Sequence, residues 1–259
     1  MKDIMQVLNT ALDEGGAVLA RHFGRLEQID RKSETDLVTV ADRESEAAIK
    51  RVIHDAFPTH QILGEESGED YAGRTGDYRW IIDPLDGTTN YAHSMPIFAV
   101  SIGVERDGEI VAGGVFNPVA GERYLAERGS GAQLNGKPLR VSQVATLRDS
   151  LLVTGFPYDR RLRLAHYMDL FGRFLNAAQS VLRLGSASLD LCAVASGRLE
   201  GFWEEKLHAW DVAAGWLVVE EAGGRITDFS GGPATVYGVE LLATNGLIHD
   251  ECVKVLTGL

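Results

Sequence analysis

Residues 80–90 read Trp80-Ile81-Ile82-Asp83-Pro84-Leu85-Asp86-Gly87-Thr88-Thr89-Asn90. The stretch begins as a short apolar run, typical of a buried strand, and ends in turn residues. Because Pro84 restricts the direction of the chain, the two aspartates beside it can converge on one point of a tight turn. The glycine and threonines that follow can present N–H groups and hydroxyls at a helix start, the usual geometry for holding a phosphate. An Asp-rich turn that only caps a helix is the alternative.

Two further acidic residues stand near apolar segments elsewhere in the chain. Glu65 lies in Gly64-Glu65-Glu66-Ser67, directly after a strand predicted at residues 61–63, and Asp211 lies in Trp210-Asp211-Val212. Alone, Glu65 fits a solvated acidic turn and Asp211 fits a plain helix N-cap. Together with residues 80–90, they indicate a group of four carboxylates.

Gathered carboxylates need a counter-charge, since two unit charges about 4 Å apart repel by about 4 kcal/mol at an effective dielectric constant of about 20. Ligand sets made only of oxygen select hard cations, and Mg²⁺ is preferred where a few carboxylates share it with a phosphate. The sequence contains no HExxH or CxxC spacing that would offer a zinc site. The pattern therefore predicts metal-assisted phosphoryl chemistry.

The charge balance narrows the class of partner. The 259 residues include 25 Lys+Arg and 37 Asp+Glu, a formal net charge of −12. Nucleic acids and anionic membranes attract surplus Lys and Arg, so neither is expected to bind directly. The N-terminus has no apolar signal core, and no stretch reaches the roughly 18 apolar residues of a membrane span. Because Cys192 and Cys252 belong to no CxxC pair, we expect a cytoplasmic protein without disulfides.

Apolar periodicity predicts the elements around these motifs. The predicted helices cover residues 3–22, 42–56, 161–178, 186–195 and 211–221. The predicted strands after the residue 80–90 motif cover residues 98–104, 109–116 and 123–127, and the turn signals between them indicate an antiparallel meander. Asp42 and Asp211 are interpreted as N-caps of their helices, and Ser186 or Ser188 as the N-cap of the helix that ends at residue 195.

The organisation predicted for the chain is a single unit over residues 1–259. No repeat, low-complexity tract or Pro/Gly-rich linker divides it. If it consists of two packed lobes, we expect the join near residues 140–155. Residues 1–145 would then form the metal and phosphate lobe, and residues 146–259 would contribute Asp211 and the substrate contacts.

At these motifs the sequence resembles the inositol monophosphatase family of Mg²⁺-dependent, lithium-sensitive phosphatases. The resemblance rests on residues 64–67, 80–90 and 210–215, and on Glu221-Ala222-Gly223-Gly224 behind them. Residues 32–42 also resemble the first motif of the family, and the match runs from about Lys32 to Asn245. The implied fold is α/β (α+β), a layered α/β/α/β/α sandwich of the inositol monophosphatase and fructose-1,6-bisphosphatase type.

The resemblance also implies roles for the site residues. Two to three Mg²⁺ ions are expected per site, the first held by Glu65, Asp83 and the carbonyl of Leu85. Asp83, Asp86 and Asp211 would hold the second ion, and a weaker third ion would lie near Glu65. The residues implied as catalytic are Thr88, Asp42 and Glu65, with Thr88 and Asp42 orienting and deprotonating the attacking water. The amides of Gly87 and Thr88 would bind phosphate oxygens.

The implied reaction is hydrolysis of myo-inositol monophosphate to inositol and phosphate. Glu204 occupies the position where relatives that act on inositol phosphate place a carboxylate facing ring hydroxyls. The residues implied as substrate contacts are Glu204, Ala187, Ser186, Asp86 and Asp211. Lys206 departs from the small residue common in bacterial relatives. It could contact a second phosphate, so fructose-1,6-bisphosphatase or nucleotide-bisphosphate phosphatase activity stays open, or it could be solvated.

A function of another class also stays open. Some bacterial relatives act as binding factors for the transcription and RNA-processing machinery, and Arg183 with Arg160-Arg161-Arg163 could form a protein-docking face. The negative net charge indicates that such a role would use a protein partner and not bare RNA. A homodimer is expected from the resemblance.

Overall fold

The computed structural model describes residues 3–26, 29–31, 37–70 and 76–258. Residues 32–36, the first part of the family-like motif at residues 32–42, lie outside the described residues. Among the described helices, none is long and apolar enough to cross a membrane.

Seven described helices lie between and outside the sheets, and most match the predicted helices. They are α1 Ile4–His22, α2 Val40–Ala56, α3 Thr88–Ala92, α4 Leu164–Ala177, α5 Ala187–Ala195, α6 Ala209–Glu221 and α7 His249–Thr257. The helices predicted over residues 3–22, 42–56, 186–195 and 211–221 are confirmed within two residues. The helix predicted from residue 161 begins three residues later, at Leu164.

The strands of the first half form an eight-stranded sheet and a separate pair. They are β1 Ile29–Arg31, β2 Leu37–Thr39, β3 Gln61–Gly64, β4 Gly68–Asp70, β5 Tyr78–Asp86, β6 Ala99–Arg106, β7 Glu109–Asn117, β8 Glu122–Glu127, β9 Gly131–Leu134 and β10 Lys137–Pro138. The large sheet has the order β10-β9-β8-β7-β6-β5-β3-β4, and β1 pairs with β2. Strands β6, β7 and β8 confirm the predicted antiparallel meander, and the positive φ angles of Asp107 and Gly108 match the predicted hairpin turn.

The second half forms a five-stranded sheet. Its strands are β11 Leu151–Thr154, β12 Ser180–Leu182, β13 Gly201–Glu205, β14 Arg225–Thr227 and β15 Glu240–Thr244. Their order is β12-β11-β13-β15-β14, with β11 parallel to both of its neighbours. None of the described strands is shared between the two large sheets, and residues 139–150 connect them. The division into lobes at residues 1–145 and 146–259 stays a prediction.

Alternating side chains of β5 show how the layers are built. Trp80 and Ile82 pack in one core with α1 and α2, whereas Ile81 packs in another with α5, α6 and the second sheet. This alternation follows from the two-residue period of a strand. Phe174 of α4 and Cys252 of α7 pack on the far face of the second sheet. The layers therefore confirm the expected α/β/α/β/α sandwich.

Close packing of α6 against the first sheet depends on small side chains. A Cβ added to Gly103 would lie 2.6 Å from the Cβ of Ala213, and one added to Gly113 would lie 3.0 Å from the Cα of Ala214. A larger residue at either glycine would push the helix away from the sheet. The helix that carries Asp211 is thereby held against the sheet that carries Asp83 and Asp86.

Candidate active site

The end of β5 places two acidic residues inside the protein. Asp83 is 2% exposed and Asp86 is 8% exposed. The tight turn expected between them is wrong: both belong to β5, and the strand contains a register irregularity between them because β6 still pairs with Asp86. The Leu85 amide donates to Asp83 Oδ1 at 2.9 Å. The irregularity lets two aspartates of one strand serve the same site.

Glu65 is brought alongside because β3 runs parallel to β5. Gly64 pairs with Ile82, and the Glu65 amide donates to the Ile82 carbonyl at 3.1 Å. Both strands therefore end at the same edge of the sheet. The expectation that Glu65 emerges from a strand end next to Asp83 is confirmed.

Helix α5 holds the carboxylate of Asp86. Ser186 Oγ at 2.6 Å, the Ser188 amide at 2.7 Å and Ser188 Oγ at 2.5 Å all donate to Asp86 Oδ2. Ser186 is the N-cap residue, but its side chain makes no cap hydrogen bond with its own helix. The carboxylate of Asp86 takes that place, where the helix dipole favours a negative charge.

Thr88 and Asp42 meet where α3 begins. The single proton of the Thr88 hydroxyl has two acceptors within reach, the Leu85 carbonyl at 3.0 Å from Oγ1 and Asp42 Oδ1 at 3.3 Å. Gly87 precedes them with a φ of 92°, and a Cβ there would lie 2.9 Å from the Ile97 carbonyl, so only glycine fits. The prediction of Asp42 as an N-cap is wrong. Thr39 caps α2, and its amide and hydroxyl both donate to Asp42 Oδ2 at 2.7 Å in a capping box.

Asp211, like Asp42, lies in the first turn of its helix and not at the N-cap position. His208 is the N-cap residue of α6, and its amide donates to Asp211 Oδ2 at 2.6 Å. The prediction of Asp211 as the N-cap is therefore wrong, because its side chain reaches back from the third helical position. In both α2 and α6, the acidic residue of the motif is oriented by a backbone N–H group at the helix start.

The acidic side chains act on one another through their charges. Burial raises the pKa of Asp83 well above its ordinary value, and the charges of Glu65, Asp86 and Asp211 raise it further. Burial also raises the pKa of Asp211, with a further contribution from Asp86. Burial raises the pKa of Asp86 too, although the bonds from Ser186 and Ser188 oppose that rise. A cation would remove this mutual repulsion.

The donor set fits a hard cation by its chemistry but is not arranged as a closed ligand sphere. Across residues 3–26, 37–70 and 76–258, no three His, Cys, Asp or Glu side chains are grouped as a metal site. Asp83, Asp86 and Asp211 each turn one oxygen toward donors of their own chain. These hydrogen bonds compensate part of the charge that a metal would otherwise neutralise.

A cavity of about 290 Å³ opens beside these residues. Asp86, Gly87, Thr88 and Asp211 line one end of it. The other end is polar as well and belongs to the second half of the chain. Its lining includes Gly155, Arg160, Arg183, Ser186, Ala187, Asp190, Glu204 and Lys206. The predicted phosphate-binding residues and the predicted substrate contacts therefore face one space.

Glu204 is a buried acidic group at that second end. It is 9% exposed, and a Cβ on Gly155 would lie 2.0 Å from its Oε2, so the carboxylate lies against the Gly155 backbone. Burial raises the pKa of Glu204 to about 8, and the positive charge of Arg183 opposes this rise. Lys206 forms an ion pair with Asp159, so it is neither free nor merely solvated.

Comparisons with known proteins show which family the chain belongs to. The family model described as "Inositol monophosphatase family" matches residues 1–257. The chain belongs to the inositol monophosphatase family. The inositol-1-monophosphatase of Rhizobium meliloti is 46% identical over 231 residues, which cover 88% of this chain and 86% of the relative. The Nus factor SuhB of Pseudomonas aeruginosa is 40% identical over 261 residues, 99% of this chain and 95% of the relative.

A solved structure extends the similarity to the whole fold. The inositol monophosphatase from Anabaena superposes with a TM-score of 0.89 at 40% identity, covering 100% of this chain and 98% of that one. Membership of the inositol monophosphatase family makes this chain a phosphatase, a hydrolase of phosphate monoesters. The family is metal-dependent.

The sequence interpretation missed one acidic residue of this inositol monophosphatase fold. Asp190 lies in the first turn of α5, lines the cavity and is 1% exposed. A signal was present, because Asp190 is the one charged residue in the otherwise apolar or small run Ala187–Ala195. Ser188 was interpreted only as a helix cap, whereas its amide and hydroxyl bind Asp86.

Several of the arginines expected to form a docking face lie at or next to the cavity. Arg160 and Arg183 line the cavity, and Arg163 Nη1 lies 3.1 Å from Glu205 Oε2 in an ion pair. Three of the arginines named for that face therefore lie at or next to the cavity of this family member.

Proposed function

We propose that this chain hydrolyses myo-inositol monophosphate to inositol and phosphate with Mg²⁺ bound at the strand-end acids. The observation that carries the proposal is that one cavity joins Asp86, Thr88 and Asp211 at one end to Glu204 at the other. The first end suits a phosphate with its cations, and the second suits the hydroxyls of a polyol.

The metal would be held by the acidic group described above. Glu65, Asp83 and the Leu85 carbonyl would hold one Mg²⁺, Asp83, Asp86 and Asp211 a second, and a third would lie near Glu65. Bound Mg²⁺ would lower the pKa of a water molecule and neutralise negative charge on the phosphate and on the leaving oxygen. The raised pKa values of Asp83 and Asp211 support this assignment, because the carboxylates that face them repel when no cation is present.

The chain's own groups would orient the reactants. Asp42 Oδ2 is occupied by two donors from Thr39, which directs Oδ1 toward Thr88. Thr88 Oγ1 can therefore accept a proton from the attacking water while it passes its own proton to Asp42 Oδ1. The Gly87 and Thr88 amides at the start of α3 would bind phosphate oxygens.

The polyol would occupy the second end. Glu204 presents its carboxylate to the cavity, and Ala187 and Ser186 contribute the start of α5 beside it. Asp86 and Asp211 line the same cavity and would flank the bridging oxygen of a phosphate ester.

The decisive experiment is a comparison of kcat/KM across phosphate esters with Mg²⁺ present. We expect myo-inositol monophosphate to exceed fructose-1,6-bisphosphate and a nucleotide bisphosphate. Activity should disappear with a chelator, return with Mg²⁺ and fall with lithium. Preference for a bisphosphate, or activity with Zn²⁺ alone, would contradict the proposal.

Bisphosphatase activity is the second enzymatic candidate. Arg160 and Arg183 line the cavity and could contact a second phosphate. Lys206, however, is paired with Asp159 and would have to leave that partner first. The same substrate panel decides between the candidates.

A protein partner in the transcription machinery is a candidate additional function, favoured by the name of the Pseudomonas aeruginosa relative, Nus factor SuhB. Pull-down with Asp86→Asn separates the two roles. Partner capture that survives in a variant without hydrolysis would support the binding role, and no capture by either form would remove it. We also place the protein in the cytoplasm, because both cysteines are free and buried.

A homodimer through α4 is proposed on the shape and charge of that helix. Met168 and Leu175 are exposed on one face, and a Cβ on Gly172 between them would meet no atom of the described residues within 4 Å. The fold therefore does not require this glycine, although glycine inside a helix costs about 1 kcal/mol relative to alanine.

The charges beside this face also fit a second copy of the chain. Asp169 and Arg173 carry opposite charges one turn apart, so an antiparallel second copy would pair acid with base. Sedimentation velocity should give a dimer that Met168→Glu dissociates; a wild-type monomer at all concentrations would contradict this.

A further inference from the structure

Three charged side chains at the second end of the cavity lack hydrogen-bond partners. Asp190, Glu204 and Arg183 all line the cavity. Within the described part of the chain, none of their charged groups forms a hydrogen bond or ion pair, and Asp190 Oδ1 is buried without a partner. Burial raises the pKa of Asp190 well above its ordinary value; the charge of Glu204 raises it further and that of Arg183 lowers it, so the three groups lie within electrostatic reach of one another.

This lack of partners is specific to that end of the cavity. Asp83 accepts a backbone N–H and Asp86 accepts three donors from α5. A buried polar group without a partner costs about 1–3 kcal/mol, and such groups are rare in folded proteins. A buried carboxylate in that state, beside a second carboxylate and an exposed guanidinium that also form no hydrogen bond among the described residues, indicates groups whose partners arrive with a ligand.

We propose that Asp190 is a specificity-determining residue that, with Glu204, accepts hydrogen bonds from neighbouring hydroxyls of the polyol. The inference rests on the proposed function and deepens it, because it adds a second acceptor for the alcohol part of the substrate. A polyol has donors for both carboxylates and oxygen acceptors for the Arg183 guanidinium. Arg183 also supplies the positive charge that keeps two buried acids together, and its Nη1 would lie 2.4 Å from a Cβ on Gly185.

The test compares a polyol ester with an ester whose leaving group has no aliphatic hydroxyls. Asp190→Asn should lower kcat/KM for myo-inositol 1-phosphate by roughly ten- to a hundredfold, because the amide puts an N–H donor where a site built for a hydroxyl offers an acceptor oxygen. For p-nitrophenyl phosphate the same variant should stay within about threefold of wild type. The ratio of the two kcat/KM values is the readout, since a purely structural defect would lower both.

Glu200→Gln is the matched control. Glu200 is also a buried acid, 6% exposed, but it accepts the Leu151 amide at 2.7 Å and does not line the cavity. We expect its substrate ratio to equal that of wild type. Equal loss on both esters in Asp190→Asn, or no loss on either, would overturn the inference.

Arg183→Gln tests the same cluster at an exposed side chain, which removes the risk that a buried substitution fails to fold. It should also lower kcat/KM for the inositol ester by about tenfold and spare p-nitrophenyl phosphate. An unchanged ratio in this variant would contradict the inference even if Asp190→Asn cannot be purified. A wild-type enzyme inactive on the inositol ester would instead overturn the proposed function, so the two failures are distinguishable.

Discussion

The two ends of the cavity are built in opposite ways. At the end formed by β5, α3 and α6, the acidic side chains are held by hydrogen bonds from their own chain, such as the Leu85 amide on Asp83 and the His208 amide on Asp211. At the end formed by α5 and β13, Asp190 and Glu204 have no hydrogen-bond donors among the described residues.

The difference separates positioning from recognition. Atoms that take part in bond breaking must be held before the substrate arrives, and backbone donors at strand ends and helix starts do this at low entropic cost. Atoms that recognise an alcohol can remain unpaired until its hydroxyls bind, and they discriminate strongly against a ligand that leaves them unpaired. Substitutions at the first end should therefore affect turnover, and those at the second end should affect substrate choice.

The largest effect is expected at the first end. Asp86→Asn should lower kcat by roughly a thousandfold or more, because this carboxylate would hold the Mg²⁺ that compensates the negative charge of the phosphate. It should not unfold the protein, since an amide oxygen can still accept from Ser186 and Ser188. Thermal unfolding with and without Mg²⁺ checks the cause: at about 100 times its Kd, Mg²⁺ should stabilise wild type by about 2.7 kcal/mol and the variant much less. Wild-type turnover in Asp86→Asn, or in Asp211→Asn, would end the metal assignment.

Thr88→Ala should have the next largest effect. Loss of the hydroxyl between the Leu85 carbonyl and Asp42 should lower kcat by about a hundredfold and leave KM within about threefold. Thr88→Ser keeps the hydroxyl and is the matched control, expected to retain most of the activity. A change in KM alone would assign Thr88 to substrate binding. It would contradict the division of the cavity into an end for turnover and an end for substrate choice.

Glu204, at the second end of the cavity, should make the free energy of unfolding depend on pH. Burial raises the pKa of Glu204 to about 8. Because the folded protein then holds this proton more tightly than the unfolded chain, the stabilisation is complete below the ordinary pKa of glutamate and is lost as the pH rises through about 8. Urea unfolding in chelator should therefore show a smaller loss of unfolding free energy between about pH 5 and pH 8 for Glu204→Gln than for wild type, by roughly 1–3 kcal/mol. Identical pH profiles would show that the Glu204 carboxyl is solvated.

The smallest effect is expected for Lys206→Ala. Lys206 is about 40% exposed in its ion pair with Asp159, and exposed ion pairs contribute about 0–1 kcal/mol. We expect KM for myo-inositol 1-phosphate to change less than about threefold. A large rise in KM confined to fructose-1,6-bisphosphate would instead assign this end of the cavity to a second phosphate.

Local patterns predicted the helices and strands more successfully than the residues that cap the helices. The meander of β6, β7 and β8 was predictable because strand alternation and the Asp107-Gly108 turn are both short-range signals. The cap positions of Asp42 and Asp211 were not, since an acidic residue near a helix start can serve as N-cap or reach back from the third position. The path of the chain just before each helix decides which of the two roles the acidic residue takes. In α2 and α6 the N-cap residues are Thr39 and His208 instead.

By itself, the sequence determined which chemistry is present: acidic residues after buried strands, a glycine–threonine turn and a family pattern that extends along the chain. The tertiary structure decided which of these groups share one space. The parallel pairing of β3 with β5 placed Glu65 beside Asp83, and the close packing of α6 on the first sheet brought Asp211 to them. Asp190 became part of the site only because the first turn of α5 lies against Asp86, whose carboxylate accepts a hydrogen bond from the Ser188 amide. Convergence of residues far apart in the chain depends on packing between layers, which no local pattern encodes.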